Sequence, residues 1–295
     1  MRILPVSFPI LLAIAACAPA AGPSPSAQDA AYARTPGVTL HYREVSESST
    51  RIGIAVTNPH EEPSRTWRDA RFAIRFTGGD SARAWFQSLR VDAAAGPALV
   101  AGADVLEQPF ALRVGPRGID SILAVPPLPS GWSGLESQFR NLFPRLPGGA
   151  LARGREWSEV STTSLSDSLY TGRQTRTLHY RVVGDSVIGR ERVVVAEYEM
   201  RTEGERRGRD PGRYEPGMPP IPRYAESNHQ QEQGRIYVAP RTGRFVRRTR
   251  SGTREHNRTS YTAAEGFVQV TEYTGTIELL SAEPGQATAG SAAPP

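Results

Sequence analysis

The chain has 295 residues, 35 basic and 30 acidic side chains, a formal charge of +5, and 38% hydrophobic and 8% aromatic residues. All 35 basic side chains are arginines, which excludes Schiff-base chemistry, a P-loop lysine and any catalytic ammonium group. The 28 glycines and 25 prolines favour turns over long helices, and the apolar share suffices for a core, so a wholly disordered chain is excluded.

Met1-Arg2 supplies one positive charge, and the apolar run from Ile3 to Ala16 ends at Cys17. This is the charged and apolar pattern of a secretory signal, too short for a comfortable permanent membrane span. The run closes on Ile14-Ala15-Ala16-Cys17, which resembles the bacterial lipobox: an aliphatic residue, two small ones and a cysteine. The resemblance implies cleavage before Cys17 and a diacylglycerol on its thiol, with the freed amine open to a third acyl chain. Two or more acyl chains hold a protein durably at a membrane. The alternative is ordinary secretion with cleavage after a small residue such as Ala20. Ala18 stands where an Asp retains such lipoproteins in the inner membrane, so the resemblance points to the periplasmic face of the outer membrane. Cys17 is the only cysteine, so a lipid on it leaves none for disulfides, thiolate catalysis or zinc.

Residues 18–35 are mostly Ala, Pro, Ser and Gly and read as a disordered tether. Residues 283–295 have the same composition and read as a disordered tail. Between them, 36–282 is expected to form a single β-rich domain. The dominant period is two: Val38, Leu40 and Tyr42 alternate with polar residues, as do Ile52, Ile54 and Val56, and Phe72, Ile74 and Phe76. Further strands are expected over 84–91, 110–114, 174–183, 192–200, 234–238, 243–251 and 267–280. The fold class is mainly β: a large antiparallel, strongly curved sheet, as a half-barrel or open barrel, with one short covering helix.

That helix is expected from Ser133-Gly134-Leu135-Glu136, which has capping-box spacing. Leu135, Phe139, Leu142 and Phe143 then form an apolar stripe ended by Pro144 and Pro147. Two readings stay open: the stripe completes the core, or with Trp132 it lines a cavity for an apolar ligand. The pentamer Thr39-Leu40-His41-Tyr42-Arg43 recurs as Thr177-Leu178-His179-Tyr180-Arg181, which suggests two related halves, 36–147 and 150–282. Residues 201–233 lack periodicity and read as a long irregular loop, with a Pro-rich run at Met218–Pro222.

The positive charge is local. Residues 201–258 hold 14 arginines against 7 acidic residues, a surplus of +7, so the rest of the chain carries −2. A strand through Arg244-Phe245-Val246-Arg247-Arg248-Thr249-Arg250 would put Arg244, Arg248 and Arg250 on one face, suited to gripping phosphate or carboxylate. The plain alternative is a solubilising arginine surface. An exported chain meets lipid headgroups and wall polymers rather than nucleic acid.

No catalytic motif stands out. The histidines at 41, 60, 179, 229 and 256 have no metal-ligand spacing, so neither metal nor cofactor is expected. Gly131-Trp132-Ser133-Gly134 falls one residue short of a nucleophile elbow, and its serine serves better as a helix cap. Nothing points to an enzyme.

The order of features carries a resemblance: Leu40-His41-Tyr42, the strand Gly118–Leu123, a short helix, Leu146-Pro147, then Gly154-Arg155-Glu156-Trp157. It resembles uncharacterised bacterial lipoproteins of domain-of-unknown-function type, and more distantly the half-barrels of lipoprotein carriers, which shelter acyl chains against one sheet face. The expected function is therefore non-catalytic binding of an amphiphile or envelope component by a lipid-anchored domain. The alternative is a structural or assembly module contacting an envelope protein or an anionic polymer.

Overall fold

The computed structural model describes residues 30–54, 62–94, 97–132, 134–166, 170–208, 224–260 and 266–284. Cys17 and its leader, Ser133, the Met218–Pro222 run and all but the first two residues of the tail lie outside the described residues. The chain is built from strands β1 (Thr39–Ile54), β2 (Ser64–Gly78), β3 (Ser81–Ala93), β4 (Leu99–Val100), β5 (Phe110–Gly115) and β6 (Gly118–Ala124). A short 3-10 turn (Ser130–Trp132) and helix α1 (Glu136–Arg140) follow. Then come β7 (Glu156–Ser166), β8 (Tyr170–Ile188), β9 (Glu191–Gly208), β10 (Tyr224–Ala239), β11 (Arg244–Ser260) and β12 (Gly266–Glu283). All belong to one antiparallel sheet in the order β6-β5-β3-β2-β1-β12-β11-β10-β9-β8-β7, with β4 beside β3. The chain's first and last strands pair in the middle, and β6 and β7 form two free edges. The sheet is a barrel left open, as the period-two pattern predicts.

Its curvature can be gauged from α1, which is only five residues and so about 7.5 Å long. The Phe139 ring centroid lies 4.8 Å from that of Phe110 on β5, and Asn141, next after the helix, accepts a hydrogen bond from Arg176 on β8. Those strands are eight positions apart in the sheet, about 38 Å if flat. The sheet therefore curls round the segment that joins β6 to β7. One face is buried against that segment, and we call it the core face; the other is the open face.

Period-two alternation puts Leu40, Tyr42 and Glu44 of β1, Phe72 and Ile74 of β2, and Phe86 of β3 on the core face. Tyr42, Phe72, Phe86, Phe110, Phe139, Phe143 and Phe245 form one chain of ring contacts at centroid spacings of 4.8–6.2 Å. Such offset and edge-on pairs add about 0.5–1.5 kcal/mol each beyond burial. Close approach of strands fixes Gly252, where a Cβ would run into the Gln231 carbonyl and lie 2.8 Å from Tyr273 Oη.

Four expectations need correction. The tether does not extend to residue 35: Ala30 and Tyr32 are buried, and Tyr32 donates to the Pro144 carbonyl at 2.7 Å and packs on Phe143. The small-residue composition hid this anchoring tyrosine. Residues 201–233 are not one loop, because β9 runs on to Gly208 and β10 begins at Tyr224, leaving only 209–223 undescribed. Polar side chains on both faces erase the apolar alternation there, while the ladder to β8 and β11 continues. The helix is a short turn rather than a capped stripe. Leu135 occupies the cap position with helical angles and no side-chain cap bond, after Gly134 at φ 85°.

The fourth concerns the repeat. The two pentamers lie on β1 and β8, with Tyr42 and Tyr180 both on the core face. These strands run antiparallel to each other, yet each has its following hairpin strand on the β6 side. A rotation that keeps the face and reverses the strand must also exchange the two sides. No rotation of the sheet therefore relates the copies, and the halves are not structural duplicates.

Candidate functional site

Of the two readings of the 135–143 stripe, the packing is that of the first: it completes the core. Phe139 and Leu142 are fully buried, Phe143 is 4% exposed, and Trp132 and Leu135 pack half-buried against the same cluster. Phe139 is enclosed by Phe72, Phe86 and Phe110 at 5.7, 5.0 and 4.8 Å. The space beneath the helix is occupied by aromatic rings of β2, β3 and β5.

Directly above these rings the core face turns polar. The register aligns Glu44, Ile277, Arg248, Ile236 and Ala196 across β1, β12, β11, β10 and β9. The next row is Ser46, Gly275, Arg250, Gly234 and Tyr198, and the one beyond it Ser48, Tyr273, Gly252, Glu232 and Met200. Arg248 and Arg250 thus share the core face, as predicted from their spacing. Arg244 does not. A bulge opposite Tyr237/Val238 puts Phe245 on the core face, where the Tyr42 hydroxyl donates to its carbonyl at 3.0 Å. Arg244 is turned to the open face, on the side of the small cluster of Val193, Ala239 and Val246.

The polar side of α1 closes the layer. Glu44, 1% exposed, accepts from Arg250 Nη2 at 2.5 Å and from the Gln138 side-chain amide, whose oxygen accepts from Arg68. Arg248, 8% exposed, donates from Nη1 to the Asn141 carbonyl at 2.7 Å, while the Asn141 side chain accepts from Arg176. Glu232 accepts from the Tyr198 hydroxyl at 2.7 Å and the Tyr273 hydroxyl at 2.8 Å. Gln230 donates to Tyr273 at 2.7 Å, and the Arg250 guanidinium lies 5.9 Å from the Tyr273 ring centroid, a cation–π contact.

The layer therefore holds four arginines, at 68, 176, 248 and 250, with Glu44 and Glu232, and the Glu232 row runs on to Glu159, which pairs with Arg145 at 3.6 Å. Three buried donors, the Nε groups of Arg176, Arg248 and Arg250, have no partner. Burial lowers the Arg68 guanidinium from its ordinary range, with the Glu44 charge opposing. It also pushes the phenols of Tyr42, Tyr180, Tyr198 and Tyr273 well above theirs. A buried donor left unpaired costs about 1–3 kcal/mol, more when charged, so an acceptor placed among these groups would be stabilising. Its chemistry suits a phosphate or carboxylate, and the layer reaches solvent at Arg250, whose side chain is 23% exposed.

Sequence reasoning found Arg248 and Arg250 but not Glu44, Arg68, Arg176, Glu232, Gln138 or Asn141. Glu44 lies two residues beyond Tyr42, so parity alone could have placed it on the core face.

The open face carries two adjoining grooves of about 880 and 860 Å³ that share His179, Glu199, Gln233 and Ser251. Together they form a polar trough from β7 across β8–β12 to β1, with Thr253 and Thr274 at one end and Arg235 and Tyr237 at the other. His41 and His179 both lie on this face but sit five strands apart. Among the described residues no group of three His, Cys, Asp or Glu could hold a metal, and no helix is long and apolar enough to cross a membrane. Both sheet faces carry charges, Glu197, Glu199 and Arg201 on the open face and Glu44, Arg248 and Glu232 on the core face.

No protein-family model matches the chain, and no curated protein matches it. Among solved structures it is similar to lipovitellin, described for its lipid–protein interactions, at 13% identity and a TM-score of 0.46. The match covers 86% of this chain and 26% of lipovitellin, so the chain spans about a quarter of that relative's length. It is also similar to a loop-deletion mutant of OmpT, an outer membrane protein of Vibrio cholerae, at 8% identity and a TM-score of 0.22, covering 82% of this chain and 99% of that one.

Proposed function

We propose that this is an exported, lipid-tethered and non-catalytic binding module of the bacterial envelope, which takes the anionic group of an envelope amphiphile or polymer into its arginine layer. The observation that carries the reading is Arg248. It is a guanidinium 8% exposed, with one hydrogen bond and an unpartnered Nε, in a layer of four arginines with Glu44 and Glu232. Burial disfavours the Arg248 guanidinium while the Glu232 and Glu44 charges favour it, and a bound anion would satisfy the donor they leave unpaired. The filled core beneath α1 argues against burying an acyl chain there, so recognition falls to the headgroup.

The tether rests on Cys17 and the lipobox before it, and Ala18 directs the proposal to the outer membrane, facing the periplasm. Acylation there holds the domain among the anionic headgroups and wall polymers that its arginines suit.

The test is thermal unfolding of the full chain with inorganic phosphate and, separately, with micelles containing a phosphate-bearing lipid, each against chloride of equal ionic strength. A ligand at a hundred times its Kd stabilises by about 2.7 kcal/mol, or about 5–10 °C for a domain of this size. A saturable rise with both probes supports a phosphate site, and a rise with the lipid alone supports an amphiphile. No rise with either overturns the reading. Intact-mass measurement of protein from its own host checks the tether: diacylglycerol on Cys17 is expected, and a free thiol refutes it.

A further inference from the structure

The two free edges of the sheet differ. At the β6 edge the chain's own 143–146 segment runs alongside: the Leu146 amide donates to the Arg117 carbonyl at 2.8 Å, and Arg145 pairs with Asp120 at 3.2 Å. The edge formed by β7 meets that segment only at its start, where Trp157 Nε1 donates to the Arg145 carbonyl at 2.9 Å and Arg145 lies 3.6 Å from Glu159. Val182 donates to the Arg155 carbonyl at 2.9 Å, and strict pairing with β8 follows from Glu156 opposite Arg181. Antiparallel alternation then turns the backbone of Trp157, Glu159, Ser161 and Thr163 toward β8. The N–H and C=O groups of Ser158, Val160, Thr162 and Ser164 point away from the sheet, and among the described residues none has a backbone partner.

Soluble proteins blunt such edges with proline, lysine, bulges or covering loops. Here the stretch Val160-Ser161-Thr162-Thr163-Ser164-Leu165-Ser166 has no charge, no proline and no glycine, and Val160 is 66% exposed. Its β-branched and hydroxyl residues are good strand formers.

We propose that β7 pairs with β7 of a second copy of this chain, antiparallel about a two-fold axis at Thr162, joining two sheets edge to edge. Thr162 exchanges both backbone hydrogen bonds with the partner's Thr162. Val160 does so with the partner's Ser164, and Ser164 with the partner's Val160, giving six bonds in all. The register places no like charges opposite each other. The only charged residues of the strand, Glu156 and Glu159, fall outside this stretch and never face each other, and Thr162 meets its own kind in a favourable hydroxyl pair. A contact this narrow is weak in solution, and tethering both copies to one membrane raises their effective concentration.

Sedimentation velocity of the full chain over a concentration series, in detergent, tests this. A monomer–dimer equilibrium is expected for the natural sequence. Thr162→Pro removes only an outward N–H, so it should leave circular dichroism unchanged and give a monomer. Thr162→Lys and Thr162→Glu should each be monomeric alone, because like charges meet across the axis, and should dimerise when mixed. A natural chain that stays monomeric throughout, a dimer that survives Thr162→Pro, or a charge pair that fails to re-form would each overturn the proposal.

Discussion

The charge imbalance of the core-face layer makes an unusual stability prediction. Removing one member of a buried ion pair ordinarily costs about 3–5 kcal/mol, because the partner is left buried and uncompensated. Glu44→Gln should follow that rule. Its carboxylate, 1% exposed, answers Arg250 directly and Arg68 through Gln138, and its loss leaves both without that carboxylate. Arg248→Met should break the rule. Arg248 has a single hydrogen bond, to the Asn141 carbonyl, and an orphaned Nε, and removing it brings the layer closer to balance. Methionine fills much of the same volume, so the expected change is within about 1 kcal/mol in either direction. With an m-value of about 3 kcal/mol/M, urea denaturation should show a midpoint lower by about 1–1.7 M for Glu44→Gln and a shift within about 0.3 M for Arg248→Met. An Arg248→Met protein destabilised as much as Glu44→Gln would refute the imbalance, and with it the reason for expecting an anion.

Phe139→Ala should lower stability by about 3–5 kcal/mol, seen in thermal melts, because the ring is fully buried among three others and its loss leaves a cavity. A loss below about 1 kcal/mol would mean that the space beneath α1 is not filled. The buried phenols of Tyr42, Tyr180, Tyr198 and Tyr273 have pKa values raised by burial, so they favour the folded state fully below the unfolded tyrosine pKa of about 10. That contribution is lost as pH rises through 10 towards the folded values. Ultraviolet titration should therefore show a tyrosine fraction that stays protonated past pH ~11 and ionises only with cooperative unfolding. A single smooth titration near the free value would contradict this burial.

Much of the architecture was legible because it rests on period-two alternation. Leu40 and Tyr42, or Phe72 and Ile74, need only local pattern to find the core face. What escaped detection depends on partners remote in sequence. Glu44 meets Arg250 across 206 residues, and nothing near either position marks the pairing. Arg244 failed because one bulge shifts parity between Phe245 and Arg248 while leaving the residue spacing intact. The distal ends of β9 and β10 looked irregular because both faces are polar there, and only the hydrogen-bonded ladder identifies them as strand. The apolar stripe at 135–143 is legible as buried, but its spacing alone leaves open whether it fills the core or lines a cavity. A sequence shows that Phe139 wants apolar surroundings, but not that Phe72, Phe86 and Phe110 already supply them.

The central claim, an anion site among these arginines, is tested most directly by a crystal grown with selenate and measured at the selenium edge. An anomalous peak within hydrogen-bonding distance of the Nε groups of Arg248 and Arg250, absent from Arg248→Met crystals, is the result expected. A featureless arginine layer at a selenate concentration that saturates the thermal shift would contradict it.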